Sequence, residues 1–146
     1  MASKISVIIV AFFLLTACQG YSVPKYDPLL YPKSYKFYDL SLFWRTAQND
    51  KVVSIDGFVK NTRYAYIRDL ELTATLLDEG GKKISEHTSF LLPITMSMDE
   101  YAPFSFSLPV TPGSKPEKIK FYYRYFLAER GEGMSPYFYS FTVDLY

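Results

Sequence analysis

Ile119-Lys-Phe-Tyr-Tyr-Arg-Tyr-Phe-Leu127 and Tyr137-Phe-Tyr-Ser-Phe-Thr-Val-Asp-Leu145 decide the fold. In the first, the odd positions are Ile119, Phe121, Tyr123, Tyr125 and Leu127; in the second they are Tyr137, Tyr139, Phe141, Val143 and Leu145. Successive side chains of a strand point to opposite faces, so a period of two gathers each set on one face. Pairing Leu127 with Tyr137 aligns both apolar rows. It also sets Lys120 opposite Asp144 on the other face, an opposite-charge pair worth roughly 0.2–1 kcal/mol. A slip of one residue would turn one row over. The spacing predicts an antiparallel hairpin with one face on a core.

Working back along the chain, five further segments read as strands between turn signals. Phe104, Phe106 and Leu108 alternate with Ser105 and Ser107. Before them, Leu70, Leu72, Ala74 and Leu76 alternate with Glu71, Thr73 and Thr75, the pattern of a sheet with one face on a core and one in water. Glu79-Gly80-Gly81 is a tight turn, and residues 82–92 return as its partner strand. With Asp78 facing Lys82, Leu76 opposes Ile84 and Leu70 opposes Phe90. Val53, Ile55, Gly57 and Val59 form another inward row, ending at a bend at Asn61-Thr62, and Tyr38, Leu40, Leu42 and Trp44 form the first. Seven short strands without crossover helices predict an all-β chain: a single immunoglobulin-like antiparallel β-sandwich over residues 35–146, with Trp44 and Tyr123 as core anchors. Fourteen Tyr and twelve Phe suit such pleated, half-buried surfaces.

A family resemblance accompanies this pattern. Val53-Ser-Ile-Asp-Gly-Phe-Val-Lys-Asn-Thr62, Leu70-Glu-Leu-Thr-Ala-Thr-Leu-Leu-Asp78 with Gly81-Lys-Lys-Ile84, and Pro103-Phe-Ser-Phe-Ser-Leu108 resemble the FxLYD-type immunoglobulin-like sandwiches of bacterial envelope proteins. The family's tyrosine is Leu77 here. The resemblance implies a fold, with glycine where strands crowd and asparagine at a bend, and brings no catalytic residues.

The N-terminus reads as an export signal. Lys4 precedes an apolar run over residues 7–15, too short for the roughly 20 residues a spanning helix needs, and small residues follow. Leu15-Thr16-Ala17-Cys18 resembles the bacterial lipobox, which implies cleavage between Ala17 and Cys18 and lipidation of Cys18, the only cysteine. One acyl chain binds marginally, but the two or three expected on such a cysteine anchor permanently. Residues 1–17 are thus read as a cleaved signal helix and residues 18–34 as the lipidated cysteine with a tether carrying Pro24, Pro28 and Pro32. Its Tyr26, Leu29, Leu30 and Tyr31 suggest that part of it lies along the domain. Gln19 after Cys18, by resemblance to sorting rules in bacteria with two membranes, favours the outer membrane.

Chemistry is sparse. Without Lys4 the chain carries fifteen basic and fifteen acidic side chains, and no basic patch points to nucleic acid. His87, the only histidine, lies between Glu86 and Thr88 in a strand and reads as an outward residue without a catalytic companion. One histidine and one lipidated cysteine do not make a zinc site. Asp99-Glu100 lacks calcium-loop spacing, Gly131-Glu-Gly133 reads as a turn, and no carboxylate pair stands out for glycoside hydrolysis. No metal, cofactor or catalysis is expected.

Two features could carry binding. Tyr122, Arg124 and Phe126, with Phe138 across from Phe126, form a patch on the outward face of the last hairpin, of a type enriched in interface cores. The alternatives are that the opposite sheet or the tether covers it. The loop over residues 93–103, with Ile94, Met96, Met98 and Tyr101, either offers an adaptable contact or plugs one end of the sandwich. The functional expectation is a lipid-anchored envelope protein, a non-catalytic accessory subunit that contacts an envelope protein partner. The alternative is a binding module for a glycan or a small apolar or lipid ligand.

Overall fold

The computed structural model describes residue 27, residues 29–128 and residues 134–146. Nine strands and no helix occur among them: β1 (Lys33–Phe37), β2 (Leu40–Gln48), β3 (Val52–Asn61), β4 (Tyr66–Leu77), β5 (Lys83–Phe90), β6 (Thr95–Met96), β7 (Tyr101–Pro109), β8 (Lys118–Ala128) and β9 (Ser135–Asp144). One sheet has the order β1-β2-β3-β7. The other has β5-β4-β8-β9, with β6 also on β4, and every pairing is antiparallel. Setting β1 and β6 aside, β2, β3 and β7 face β5, β4, β8 and β9, the A-B-E and C′-C-F-G order of an immunoglobulin-like sandwich. Those two extra strands raise the expected seven to nine.

The core lies where the alternation puts it. Leu42, Trp44, Val53, Ile55, Leu72, Leu76, Phe106, Phe121 and Tyr123 are all buried between the sheets. Gly57 sits between Trp44 and Phe104 across adjacent strands, and a Cβ there would come within 2.1 Å of the Phe43 carbonyl oxygen. Only glycine lets these strands carry two large rings over that point. Asn61, also fully buried, knits the loops at one end: Nδ2 donates to the carbonyls of Ala65 (2.9 Å) and Met96 (3.0 Å), and Oδ1 accepts from the Arg63 amide (2.8 Å).

Several expectations are corrected. In the last hairpin, Leu127 pairs with Ser135, Tyr125 with Tyr137 and Phe121 with Phe141, a shift of two residues. Period-two patterning cannot distinguish registers that differ by two. On the core face the observed one sets three aromatic pairs opposite each other (125/137, 123/139 and 121/141) where the expected one sets two there and a third, 126/138, on the outer face, and it replaces Lys120 by Lys118 opposite Asp144.

In the β4–β5 hairpin, Asp78 meets Lys82 as expected, with its amide donating to the Lys82 carbonyl at 3.0 Å. The register then shifts, so that Leu76 opposes Ser85 rather than Ile84, and Glu71 rather than Leu70 opposes Phe90. The bulge turns the rest of β5 over. Glu86 and Thr88 now reach Thr75 and Thr73, each at 2.8 Å, and these polar cross-strand bonds favour the shifted register. His87 consequently lies on the core-facing side rather than the outward one, its ring 5.5 Å from Phe106 at the sheet's open edge.

Tyr38 leaves the first apolar row. It lies in the β1–β2 turn at φ 40°, while Lys33 and Ser34, placed in the tether, open β1. The tether's Tyr31 packs edge-on against Phe58, on the outer face of the first sheet, with Arg45 over its ring. Leu29 and Leu30 are exposed, and Tyr26 is outside the described residues.

Candidate functional site

The outer face of the second sheet carries the first candidate. Register places Phe90 of β5, Glu71 of β4, Arg124 of β8 and Phe138 of β9 in one row across four strands. Phe90 is 69% exposed and Phe138 71%, while Arg124 pairs with Glu71 at 3.1 Å between them. Three interstrand steps separate the two rings by about 14 Å. Phe138 thus lies across from Arg124, and Phe126 is flanked by Arg68 and Pro136. Tyr122 and Phe126 are half-buried against their strand neighbours. The opposite sheet packs on the other face of β8 and β9, and the described part of the tether lies on the first sheet, so among the described residues nothing from either lies over this row. The sequence brings Tyr122, Arg124, Phe126 and Phe138 to one face. It does not reveal Phe90, which the β5 bulge turns outward.

The second candidate is a cleft at the sandwich end where β1 stands over β9. Tyr35 stacks on Phe141 and Phe37 on Tyr139, both with ring centroids 3.7 Å apart, and the Tyr35 and Tyr139 hydroxyls bond at 3.1 Å. These stacks close the seam along the strands. Beyond them a cleft of about 330 Å³ opens, lined by Phe37, Tyr38, Asp39, Arg63, Tyr125 and Tyr137, among others. Tyr137 stacks parallel to Tyr125, with an interplanar angle of 12°.

At the base lies Asp39, buried at 6% exposure. It accepts a hydrogen bond from the Tyr125 hydroxyl and one from Arg63 Nη1 at 3.0 Å. Burial pushes the Tyr125 phenol well above its ordinary range, and the bond to the Asp39 carboxylate adds to the shift. Burial does the same to Tyr123. Both phenols therefore remain neutral donors. Tyr38 forms the rim, its ring edge-on to Phe37 at 4.4 Å and 82% exposed. The cleft was not legible in sequence, because it joins a turn, the β3–β4 loop and two strand ends. Its one local signal is the acidic residue in the Tyr38-Asp39 turn.

The remaining candidates have structural work. Asp99 pairs with Lys60 at 2.6 Å, and Glu100 Oε2 accepts from the Ser97 amide at 2.6 Å, so both hold the loop before β7. In that loop Met96 is fully buried on β4, whereas Ile94 and Met98 are exposed. Tyr101 lies against Phe58, under Lys60. Among the described residues no three His, Cys, Asp or Glu side chains group as metal ligands. Ala17, Cys18, Gln19, Gly131 and Gly133 lie outside the described residues. Comparison with protein-family models matches no family, and comparison with curated proteins finds no match.

Proposed function

We propose that the chain is a lipid-anchored protein of the bacterial cell envelope. It is held through Cys18 once residues 1–17 are removed, and in a bacterium with two membranes Gln19 directs it to the outer one. It acts without catalysis, as an accessory subunit whose outer β5-β4-β8-β9 face contacts an envelope protein. The observation that carries this reading is the row Phe90–Glu71–Arg124–Phe138, two uncovered phenylalanines held on rigid strands around an ion pair. Exposed aromatic rings beside an arginine are residue types enriched in interface cores.

Burying each ring would contribute about 1.5–3 kcal/mol before the cost of association. Alone that is a weak contact. Confinement to a membrane surface raises the effective concentration of both partners and makes weak contacts sufficient. The test is photo-crosslinking in intact cells from a reactive residue placed at position 138, with position 105 on the other sheet as control. One envelope protein captured from 138, and lost with Phe90→Ser, supports the reading; equal capture from both positions refutes the face. Cys18→Ala should move the protein from washed membranes to the soluble fraction, and retention would refute the anchor.

A further inference from the structure

We propose that the loop end of the sandwich around Asn61 is a membrane-contact site, seated in the interfacial layer of a phospholipid bilayer. The inference rests on the Cys18 anchor put forward above, which ties the chain to that bilayer. Four connections meet at this end: the β1–β2 turn at residues 38–39, the β3–β4 loop at 62–65, the β6–β7 loop at 97–100 and the entry to β9 at Met134. Asn61 ties them together. Its side chain bonds the Ala65 and Met96 carbonyls, and its own carbonyl accepts from the Asp99 amide at 2.9 Å.

The two ends of the sandwich differ in polarity. At the Asn61 end Tyr38, Tyr64, Tyr66, Met98 and Met134 are all exposed, Tyr64 to 94%. The other end carries the β2–β3 turn, the β4–β5 turn, the β7–β8 loop and residues 145–146. It presents Asp50, Lys51, Glu79, Lys82 and Lys115 to solvent, and among the described residues Tyr146 is its only large exposed hydrophobic. An apolar cap at one end matches a boundary that is apolar on one side and aqueous on the other. Tyrosine suits the boundary itself, because its ring enters the apolar layer while its hydroxyl stays with the headgroups.

The acidic groups at this end are already partnered within the protein. Asp39 is buried and accepts from Tyr125 and Arg63, Asp99 pairs with Lys60 at 2.6 Å, and Glu100 accepts from the Ser97 amide at 2.6 Å. A carboxylate bonded inside the protein loses less on approach to lipid than one that relies on water. These side chains therefore do not hold the loop end in bulk water.

The apolar tips are also held out of the core, on an uneven surface. Tyr38 stays at φ 40°, fixed by the Thr62 hydroxyl donating to its carbonyl at 3.1 Å and the Thr62 amide donating to the Asp39 carbonyl at 2.8 Å. Beside Tyr64 lies a depression of about 700 Å³, lined by Tyr64, Tyr66, Met98 and Ala128 together with Arg63 and Ser97. A folded partner would need a matching projection to fill it. Fluid acyl chains and headgroups fill it without one, which favours lipid over a protein surface. The tether permits this orientation. Tyr31 rests on Phe58, three residues or about 10 Å from Asn61. Thirteen residues separate Cys18 from Tyr31, a reach of at most about 45 Å, so the lipid on Cys18 enters the bilayer that the loop end touches.

The experiment is depth-dependent fluorescence quenching on the full mature lipoprotein, inserted into the outer leaflet of vesicles of phosphatidylethanolamine and phosphatidylglycerol. Acylation occupies the only native thiol, so Met98→Cys and, at the opposite end, Asp50→Cys each provide one site for an environment-sensitive dye. The proposal expects blue-shifted emission at 98, quenched by lipid nitroxides near the headgroups, and water-like emission at 50, quenched by aqueous iodide. Adding Tyr64→Ser and Tyr38→Asn should cut the nitroxide quenching at 98 by about threefold or more, since two of the exposed rings are removed. Tyr64 is so exposed that its truncation leaves the fold intact, and asparagine tolerates the positive φ at position 38. Equal iodide access at 98 and 50, or nitroxide quenching unchanged by the two tyrosine substitutions, would overturn the proposal. If the mass of that chain shows the lipid, the anchor stands and this inference alone fails; a chain without the lipid would overturn both. Shielding at 98 that grows with the ratio of protein to lipid would also overturn it, and would assign the loop end to a second copy of the chain.

Discussion

Asn61→Ala is the substitution whose cost follows most directly from the geometry. The side chain is fully buried and makes three bonds, to the Met96 and Ala65 carbonyls and from the Arg63 amide. Truncation leaves all three backbone groups without that partner. A buried polar group stranded in this way costs about 1–3 kcal/mol. The Met96 carbonyl is the most enclosed, and the other two lie in partly buried surroundings, where water can substitute. Assigning about 2 kcal/mol to the first and about 1 to each of the others predicts a loss of about 3–4 kcal/mol.

Against a total stability of about 5–15 kcal/mol for such a domain, that is a large fraction. Urea titration followed by the fluorescence of Trp44, the only tryptophan and a buried one, measures it. The slope of the transition should hold while the midpoint falls. Asn61→Asp keeps the acceptor for Arg63 and loses both donors, so it should be no less damaging. A loss under 1 kcal/mol for Asn61→Ala would refute the assignment of Asn61 as the tie between the β3–β4 and β5–β7 connections.

Gly57→Ala should destabilise by about 1–3 kcal/mol or more, because the added methyl meets the Phe43 carbonyl and the Phe104 ring; calorimetry showing an unchanged Tm would contradict the crowding. A double-mutant cycle on Lys118 and Asp144 should give a coupling of roughly 0.2–1 kcal/mol and the same cycle on Lys120 and Asp144 none, which decides between the two registers. Tyr123 and Tyr125 are held protonated by burial at pH values where the unfolded chain ionises its phenols. Unfolding therefore releases protons above about pH 10, and stability, flat with respect to these groups below that value, falls as the pH rises past it. Urea midpoints measured from pH 8 to 11.5 should show the decline, and Tyr123→Phe should make it shallower.

Alternation by itself determined which residues of β2, β3, β4, β7 and β8 face the core. Leu42, Trp44, Ile55, Leu72, Leu76, Phe106, Phe121 and Tyr123 are buried because hydrophobic burial and the pleat act on each strand separately, and both are written in consecutive residues. Gly57 as a crowded position was implied by the family resemblance, and Asn61 was legible as a bend from the turn residues Asn61-Thr62 that close its strand. Tertiary structure decided what depends on partners distant in sequence. The two-residue choice in the β8–β9 register, which parity cannot distinguish, is fixed by which residues meet across the hairpin, with three aromatic pairs gathered on the core face. The β5 bulge rests on Thr73 and Thr75 finding Thr88 and Glu86, and it alone turns Phe90 out beside Glu71. The cleft draws Tyr38 and Asp39 from one turn, Arg63 from another and Tyr125 and Tyr137 from facing strand ends. No local pattern encodes that meeting, because the distance between those groups is set by how two sheets stack.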